Sequence, residues 1–179
     1  MLGKIFISQG KYVVKLLERF GMVDCKSVST PMEVNFKKLS GNVVGPVLAN
    51  PAECRQLVAA LMFLVNFRPD VCFVVNTLSQ HMVDPHHIHW IGAKNLLRYL
   101  RGTINHGLRY TIVNMTLYGY SDADWFGNVV DRKSTSECCF TLGSASISWM
   151  SRKQKSVALS TAEAEYIAVS TACCEVVWM

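Results

Sequence analysis

The spacing of hydrophobic positions in the first hundred residues predicts one short strand followed by four helices. The opening segment "KIFISQ" is typical of a strand. Tyr12, Leu16 and Phe20 recur every four residues, which predicts an amphipathic helix from about Gly10 that ends at Gly21. Three further helices are predicted at about residues 52–66, 69–82 and 86–101. Because short connections join these three, they favour a small helical bundle.

The pattern changes to strands in the last third of the chain. Short apolar or alternating runs predict strands at residues 116–121, 136–142 and 145–150, with "LGSA" as the turn between the last two. A final helix is predicted from Ser160 to the end of the sequence. Residues 27–51 are rich in Ser, Gly and Pro without a sustained period, which predicts a long surface connection. These elements together predict an α+β protein.

Composition narrows the class of protein without settling its function. Hydrophobic residues make up 50% of the chain, enough for a packed core, and the formal net charge of +5 is compatible with a nucleic-acid partner without requiring one. The seven cysteines include no Cys-x-x-Cys, so neither a zinc site nor a disulfide framework is indicated. The longest apolar run, "LVAALMFLV", is too short to span a bilayer, and no signal sequence is visible. We therefore expect a protein of the cell interior.

The stretch "YGYSDADWFGN" places two carboxylates, Asp122 and Asp124, after an apolar strand. Their spacing matches the opening of a calcium-binding loop, but the fifth and twelfth positions of such a loop are Phe126 and Lys133, which excludes it. A purely structural role for both aspartates is one alternative. The other is that Asp122, which ends a strand predicted to be central, meets a second carboxylate at a metal site.

The predicted C-terminal helix supplies two candidate carboxylates. "STAE", from Ser160 to Glu163, has the form of a capping box, which gives Glu163 a structural role. Glu165 is predicted to lie on a nearly opposite face among small apolar neighbours. An ionised carboxylate in such a setting is costly unless a cation pairs with it, and a metal ion shared with Asp122 would remove that cost.

Two groups of cations are candidates for contact with phosphates. One lies on the helix predicted at 86–101 and the other in "SRKQKS". For both groups, a solvated surface is the simpler interpretation, and the four histidines between residues 81 and 89 are likewise more typical of a solvated helix start than of a metal cluster. The candidate phosphate contacts are Lys94, Arg98, Arg101, Arg152, Lys153 and Lys155.

The sequence resembles the Pol polyprotein of copia-type LTR retrotransposons. "GYSDADWFGNVVDRKSTSECCFTLGSASISWMSRKQKSVALSTAEAEYIAVS" is similar to the start of the family's ribonuclease H domain. "IFISQGKYVVKLLERFGM", "STPM", "LVAALMFLVNFRPDV", "HWIGAKNLLRYLRGT" and "GLRY" are similar to the end of its reverse transcriptase and the following connection. The resemblance implies reverse transcriptase over residues 1–110, a short linker at 111–115 and an incomplete ribonuclease H-like domain over 116–179.

This resemblance implies a fold and a chemistry. The expected fold is a helical thumb or connection segment, followed by a truncated ribonuclease H-like mixed sheet with one helix. Asp122 aligns with the catalytic Asp of the family's first strand and Glu165 with the Glu of its first helix, while Asp124 and Glu163 keep supporting or structural roles. In the family these carboxylates hold two magnesium ions, about 4 Å apart, that cleave the RNA strand of an RNA–DNA hybrid.

Departures from the family pattern limit what this chain is expected to do alone. The third and fourth catalytic aspartates and the polymerase Tyr-Val-Asp-Asp-like turn do not occur in the sequence. We therefore expect weak or absent magnesium binding and no hydrolysis or nucleotide addition by the isolated chain. Glu137 stands where the family usually has Gly, Phe126 where a small residue is usual, and Ala59 where Gly is common.

The resemblance also implies partners and a location. The expected partners are an RNA–DNA hybrid and the rest of the Pol polyprotein, with no membrane and no small-molecule substrate. The expected location is the cytoplasm, in the virus-like particle of the parent element, or the nucleus. The alternative function is that of a truncated or co-opted remnant, which binds nucleic acid or a protein partner without catalysis.

Overall fold

The computed structural model describes residues 3–32, 46–112, 115–125 and 131–179. The chain divides into two compact units, which we call the helical unit, within Phe6–Leu108, and the strand unit, chiefly Arg109–Met179. The predicted domain boundaries at residues 110 and 115 stay predictions. The two compact units divide after Leu108, two residues before the first predicted boundary. Much of the predicted connection between residues 27 and 51, and part of the predicted linker, lie outside the described residues.

The helices and strand predicted for the first part of the chain are confirmed. They are β1 (Lys4–Ser8), α1 (Gly10–Arg19), α2 (Pro51–Val65), a 3-10 turn (Pro69–Val71) that leads into α3 (Cys72–Ser79), and α4 (His87–Gly102). A strand that the pattern did not predict, β2 (Gly107–Thr111), pairs with β1 in a two-stranded sheet. Within the described residues, no helix is both long enough and apolar enough to cross a membrane.

The helical unit is built around leucines that lie on the facing sides of its helices. Leu61 of α2 and Leu97 of α4 are fully buried, and the same cluster includes Val13 of α1 and Val75 of α3. The core therefore contains side chains from all four helices, as the predicted apolar stripes require.

An ion pair between buried Arg68 and exposed Asp70 completes the packing of the helical unit. Arg68 is 3% exposed, donates to both carboxylate oxygens of Asp70 at 2.7 and 2.9 Å, and also donates to Thr103. The Tyr99 hydroxyl donates to Asp70 at 2.8 Å. Burial alone would raise the pKa of Asp70, but the hydrogen bonds and charge of Arg68 outweigh it and lower that pKa. The buried guanidinium is thus paired and hydrogen-bonded, which is the condition for tolerating a buried charge.

The strand unit contains β3 (Leu117–Asp124), β4 (Thr135–Leu142), β5 (Ala145–Lys153) and α5 (Thr161–Trp178). The strands are ordered β3-β4-β5, and both pairings are antiparallel. A chain that combines helices with strands confirms the coarse fold class. The expected mixed sheet is wrong for the described strands, because a parallel neighbour needs a crossover of a dozen or more residues, and only a tight turn at Gly143 joins β4 to β5.

Helix α5 packs on one face of this sheet through a stripe of alanines. Ala164, Ala168 and Ala172 are buried, and Ala172 clusters with Cys138 and Phe140 of β4. Small side chains at every fourth position let the helix backbone approach the sheet closely. The face of the sheet that carries Cys138 and Phe140 is therefore the one covered by α5.

Candidate active site

Asp122 lies inside β3 rather than at its end. Its register partner on β4 is Glu137, and the partner of Glu137 on β5 is Ser151. The Asp122 carboxylate accepts a hydrogen bond from the Ala123 backbone N–H at 2.9 Å. The expectation that Asp122 ends a central strand is wrong on both counts, because the ladder with β4 continues to Asp124 and β3 is an edge strand among the described strands.

The register also determines which face of the sheet Asp122 occupies. Gly119 pairs with Phe140, and a Cβ atom at Gly119 would lie 2.6 Å from the Phe140 ring, so Gly119 is on the face that α5 covers. Successive residues of a strand alternate between faces. Asp122, three residues after Gly119, therefore projects from the face opposite α5, where its side chain is exposed.

On this open face, Asp122 directly opposes another carboxylate. Like charges at directly opposite positions of an antiparallel pair are destabilising. The Ser151 hydroxyl donates to Glu137 at 3.0 Å, which stabilises that carboxylate, but no such hydroxyl is opposite Asp122. Sequence reasoning noted Glu137 only as a departure from the family pattern. Its place against Asp122 depends on the register of the β3–β4 pair.

Glu163 caps α5, as predicted. The Ser160 hydroxyl accepts from the Glu163 backbone N–H at 3.1 Å, and the Glu163 carboxylate accepts from the Leu159 N–H at 2.7 Å. The carboxylate thus reaches one residue further back than the predicted capping box. This contact accounts for Glu163 as a structural residue.

Glu165 is exposed on α5, next to the buried Ala164. The argument that its carboxylate is buried on a small apolar face is wrong, because the buried stripe consists of Ala164, Ala168 and Ala172. Within the part of the chain that the structure describes, no group of three or more His, Cys, Asp or Glu side chains could hold a metal ion. These residues do not form a magnesium cage, so no catalytic step through a metal can be derived from them.

The cations of α4 contact the backbone of the segment after α1. Arg98 Nε donates to the Lys26 carbonyl at 2.9 Å, and Arg101 Nε donates to the Val23 carbonyl at 2.6 Å. The ammonium of Lys94 lies 5.0 Å from the centroid of the Trp90 ring, within cation–π range. The structure therefore gives these three side chains local packing roles, whether or not they also contact phosphates.

The cations of "SRKQKS" lie on or after β5. Lys153 forms an ion pair with Asp131 at 2.8 Å. Burial would raise the pKa of Asp131, but the hydrogen bonds from Lys153 and the Lys133 backbone, together with the charges of both lysines, outweigh it and lower that pKa. Arg152 and Lys155 are exposed and line a cavity of about 330 Å³ beside α5. Buried Gln154 lines the same cavity and donates to Ser136 at 2.9 Å. Of the two cationic groups, this one presents more charge to solvent.

Comparison with known proteins covers both units. The chain is 41% identical over 176 residues to the retrovirus-related Pol polyprotein from transposon RE2 of Arabidopsis thaliana, and 38% identical over 182 residues to that from transposon TNT 1-94 of Nicotiana tabacum. Each match includes 98% of this chain but only 12% and 14% of the respective polyproteins. A secreted RxLR effector protein of Plasmopara viticola is 48% identical over 124 residues, which are 68% of this chain and 87% of the effector.

No protein-family model and no solved structure matches the chain. The likeness to transposon polyproteins thus rests on sequence alone, but it extends across nearly every residue and includes the segments that carry Asp122 and Glu165. The chain belongs to the family of copia-type retrotransposon Pol polyproteins.

Proposed function

We propose that this chain is the segment of a copia-type Pol polyprotein that comprises the helical end of reverse transcriptase and the first half of the ribonuclease H domain. The observation that carries the proposal is a similarity to Pol polyproteins that continues through 98% of the chain. The order of the two units agrees with it, since a helical unit precedes a three-stranded sheet with one helix. The ribonuclease H-like fold of the strand unit is part of this proposal.

The proposed reaction of the parent polyprotein is hydrolysis of the RNA strand of an RNA–DNA hybrid during reverse transcription. Asp122 and Glu165 are the proposed magnesium ligands of the parent polyprotein. This assignment rests on the alignment of "YSD" and "AEAEY" with the family alone, because Asp122 projects from the sheet face opposite α5, the helix that carries Glu165. Magnesium would supply activation of water and stabilisation of the leaving oxygen. Because two carboxylates on different elements are only part of the family's ligand set, we assign the activity to the longer polyprotein and not to this segment alone.

The proposed nucleic-acid contacts lie mainly in the strand unit. Arg152 and Lys155 are exposed near each other, so they could meet the phosphates of a hybrid. Arg98 and Arg101 use their Nε atoms for backbone carbonyls, but their remaining guanidinium N–H groups can still donate to a phosphate. The proposed location is that of the parent particle, in the cytoplasm, or the nucleus.

A segment exchange tests this proposal. The matching region of the TNT 1-94 polyprotein would be replaced by this chain, and cleavage of the RNA strand of a labelled hybrid would be measured with magnesium. We expect the chimaera to retain cleavage within about tenfold of the unaltered polyprotein. A folded chimaera without activity, beside an active parent, would contradict the proposal that this chain is a working segment.

The likeness to a secreted effector favours one second candidate function. That short protein, which is not named as a polyprotein, shares 48% identity with 68% of this chain. The second candidate is therefore a remnant that binds nucleic acid or a protein without catalysis. Binding of the isolated chain to a hybrid at several salt concentrations, combined with the absence of cleavage in the chimaera, would support this candidate over the first.

A further inference from the structure

The first turn of α4 is held by a cluster of histidines, which we call the histidine cap: His81, His86 and His89. His89 is 7% exposed, and its Nδ1 atom accepts the backbone N–H of His86 at 2.9 Å. The His86 ring accepts from the backbone of His89 in return, so the two residues form a reciprocal capping box. The ring of His81 stacks on that of His89, with 4.0 Å between centroids and 14° between planes.

This arrangement fixes the protonation state of both rings. A ring nitrogen can accept a hydrogen bond only through a free lone pair, so His89 must be neutral with its proton on Nε2. His86 accepts through its other nitrogen while its Nε2 lies 3.2 Å from an Asp84 carboxylate oxygen, and the natural assignment is Nε2–H donating to that carboxylate. The cap therefore exists only while His89 is neutral.

Protonation of His89 would place a donor against a donor. The new Nδ1–H would face the His86 N–H, and the positive charge would lie at a helix N-terminus, where the helix dipole is already positive. The charged or titratable groups that act on the ring are His81 and Asp84, from the segment before α4, and His86. Arg55 of α2 contacts the same segment through the Met82 and Val83 carbonyls. Only Asp84 favours the imidazolium, and it already contacts His86.

We propose that the histidine cap is an acid-sensitive latch, which holds the start of α4 and the segment before it when His89 is neutral and releases them when His89 takes up a proton. The released region would include the contact of the His87 N–H with the Pro46 carbonyl, at 3.1 Å, and the bridge between Val47 and His86. This device is independent of the proposed function.

The direction of the pH effect follows from the surroundings of His89. Burial, then the neighbouring His81 and His86, lower the pKa of His89 from 6.5 to about 4. Because the released state binds the proton more tightly than the capped state, the cap is fully stable above pH 6.5 and weakens as pH falls toward 4. Because release of the cap takes up one proton, the equilibrium constant for closing the cap falls about tenfold for each pH unit between 6.5 and 4.

Amide hydrogen exchange of the full chain tests the latch directly. We expect the protection factor of the His86 amide to fall by about tenfold per pH unit between pH 6.5 and 4. His89→Asn places a non-titrating oxygen where Nδ1 lies, so its protection should stay level over the same window. His87→Asn is the matched control, since His87 is an exposed neighbour, and it should behave as the unaltered chain.

Protection of the His86 amide that is independent of pH, or that falls equally in His89→Asn, would overturn the proposal. If His89→Asn fails to fold, titration of the His89 ring nitrogens in the unaltered chain still tests the proposal. A His89 titration midpoint well below 6.5, accompanied by loss of His86 protection between pH 6.5 and 4, supports the latch. A midpoint near 6.5 with unchanged protection rules it out.

Discussion

The two units of this chain treat charge and burial in opposite ways. The helical unit buries an arginine at 3% exposure and satisfies it with a carboxylate, a carbonyl and a hydroxyl, inside a core drawn from four helices. The strand unit has a small buried cluster of Cys138, Phe140 and Ala172, and its open sheet face sets Asp122 against Glu137. The first pattern is that of a scaffold. The second sets two carboxylates opposite each other on the sheet face that α5 does not cover.

The largest effect is expected from the hydrogen bonds of buried Arg68 in the helical unit. Replacing Arg68 with Gln would remove its charge-assisted hydrogen bonds to Asp70 and Thr103, which are worth about 1.5–3 kcal/mol each, so we expect a loss of about 3–5 kcal/mol in the free energy of unfolding. Urea denaturation followed by Trp90 fluorescence would measure it. Since Arg68 lowers the pKa of Asp70, the ion pair's contribution is present above about pH 4 and lost in more acid solution. An unchanged urea midpoint for Arg68→Gln at neutral pH would contradict the description of the helical unit as a scaffold that depends on this ion pair.

Core truncation should also mark the helical unit as the scaffold. Leu61 is 0% exposed, and Leu61→Ala should cost about 2–5 kcal/mol because it leaves a cavity. The neighbouring Met62 is 49% exposed, so Met62→Ala is the matched control and should change stability by less than about 0.5 kcal/mol. Thermal unfolding of both variants would reveal the difference. Equal losses would mean that α2 is not packed as described.

Removal of the α5 cap should have a moderate effect confined to the strand unit. Glu163→Ala loses the acceptor for the Leu159 N–H, and we expect a cost of about 0.5–2 kcal/mol. Glu163→Gln keeps an acceptor oxygen at the same place and should lose less. Amide exchange of Leu159 would separate the two variants, and full protection in the Ala variant would show that Glu163 is not the cap.

The smallest predicted effect is a gain of stability. Glu137→Gln removes the charge opposite Asp122 but keeps an oxygen for the Ser151 hydroxyl, so it should stabilise the strand unit by about 0.2–1 kcal/mol at low salt. Added salt should reduce the gain, because it screens exposed charges. Glu175→Gln is the control: Glu175 also accepts from a serine, Ser148, but its place is on a helix. A loss of stability in Glu137→Gln would refute the proposed repulsion.

The local elements could be predicted from the sequence because they depend on local patterns. The four-residue recurrence of Tyr12, Leu16 and Phe20 marks α1, and the Ser160–Glu163 motif marks the start of α5. The end of a helix or strand is harder to predict where it depends on pairing with a segment far away in the sequence. Strand β3 continues to Asp124 because it pairs with β4 as far as Thr135, and the pairing register is not visible in β3 itself.

The site depends on relations between elements, which explains why it was predicted only in part. The face that α5 covers follows from Gly119 meeting Phe140, two residues far apart in the sequence. The roles of Arg98 and Arg101 depend on carbonyls at Lys26 and Val23, in a different part of the chain. The assignment of Asp122 and Glu165 to magnesium still rests on the family resemblance and stays a prediction.

The measurement that tests the central claim most directly is single-turnover cleavage of an RNA–DNA hybrid by the chimaeric polyprotein carrying Asp122→Asn or Asp124→Asn. These aspartates lie two residues apart on the same strand, so the second variant is a close control for the first. The account predicts a loss of at least about 100-fold in Asp122→Asn and near-normal cleavage in Asp124→Asn. Full activity in Asp122→Asn would contradict the assignment of Asp122 to the catalytic centre.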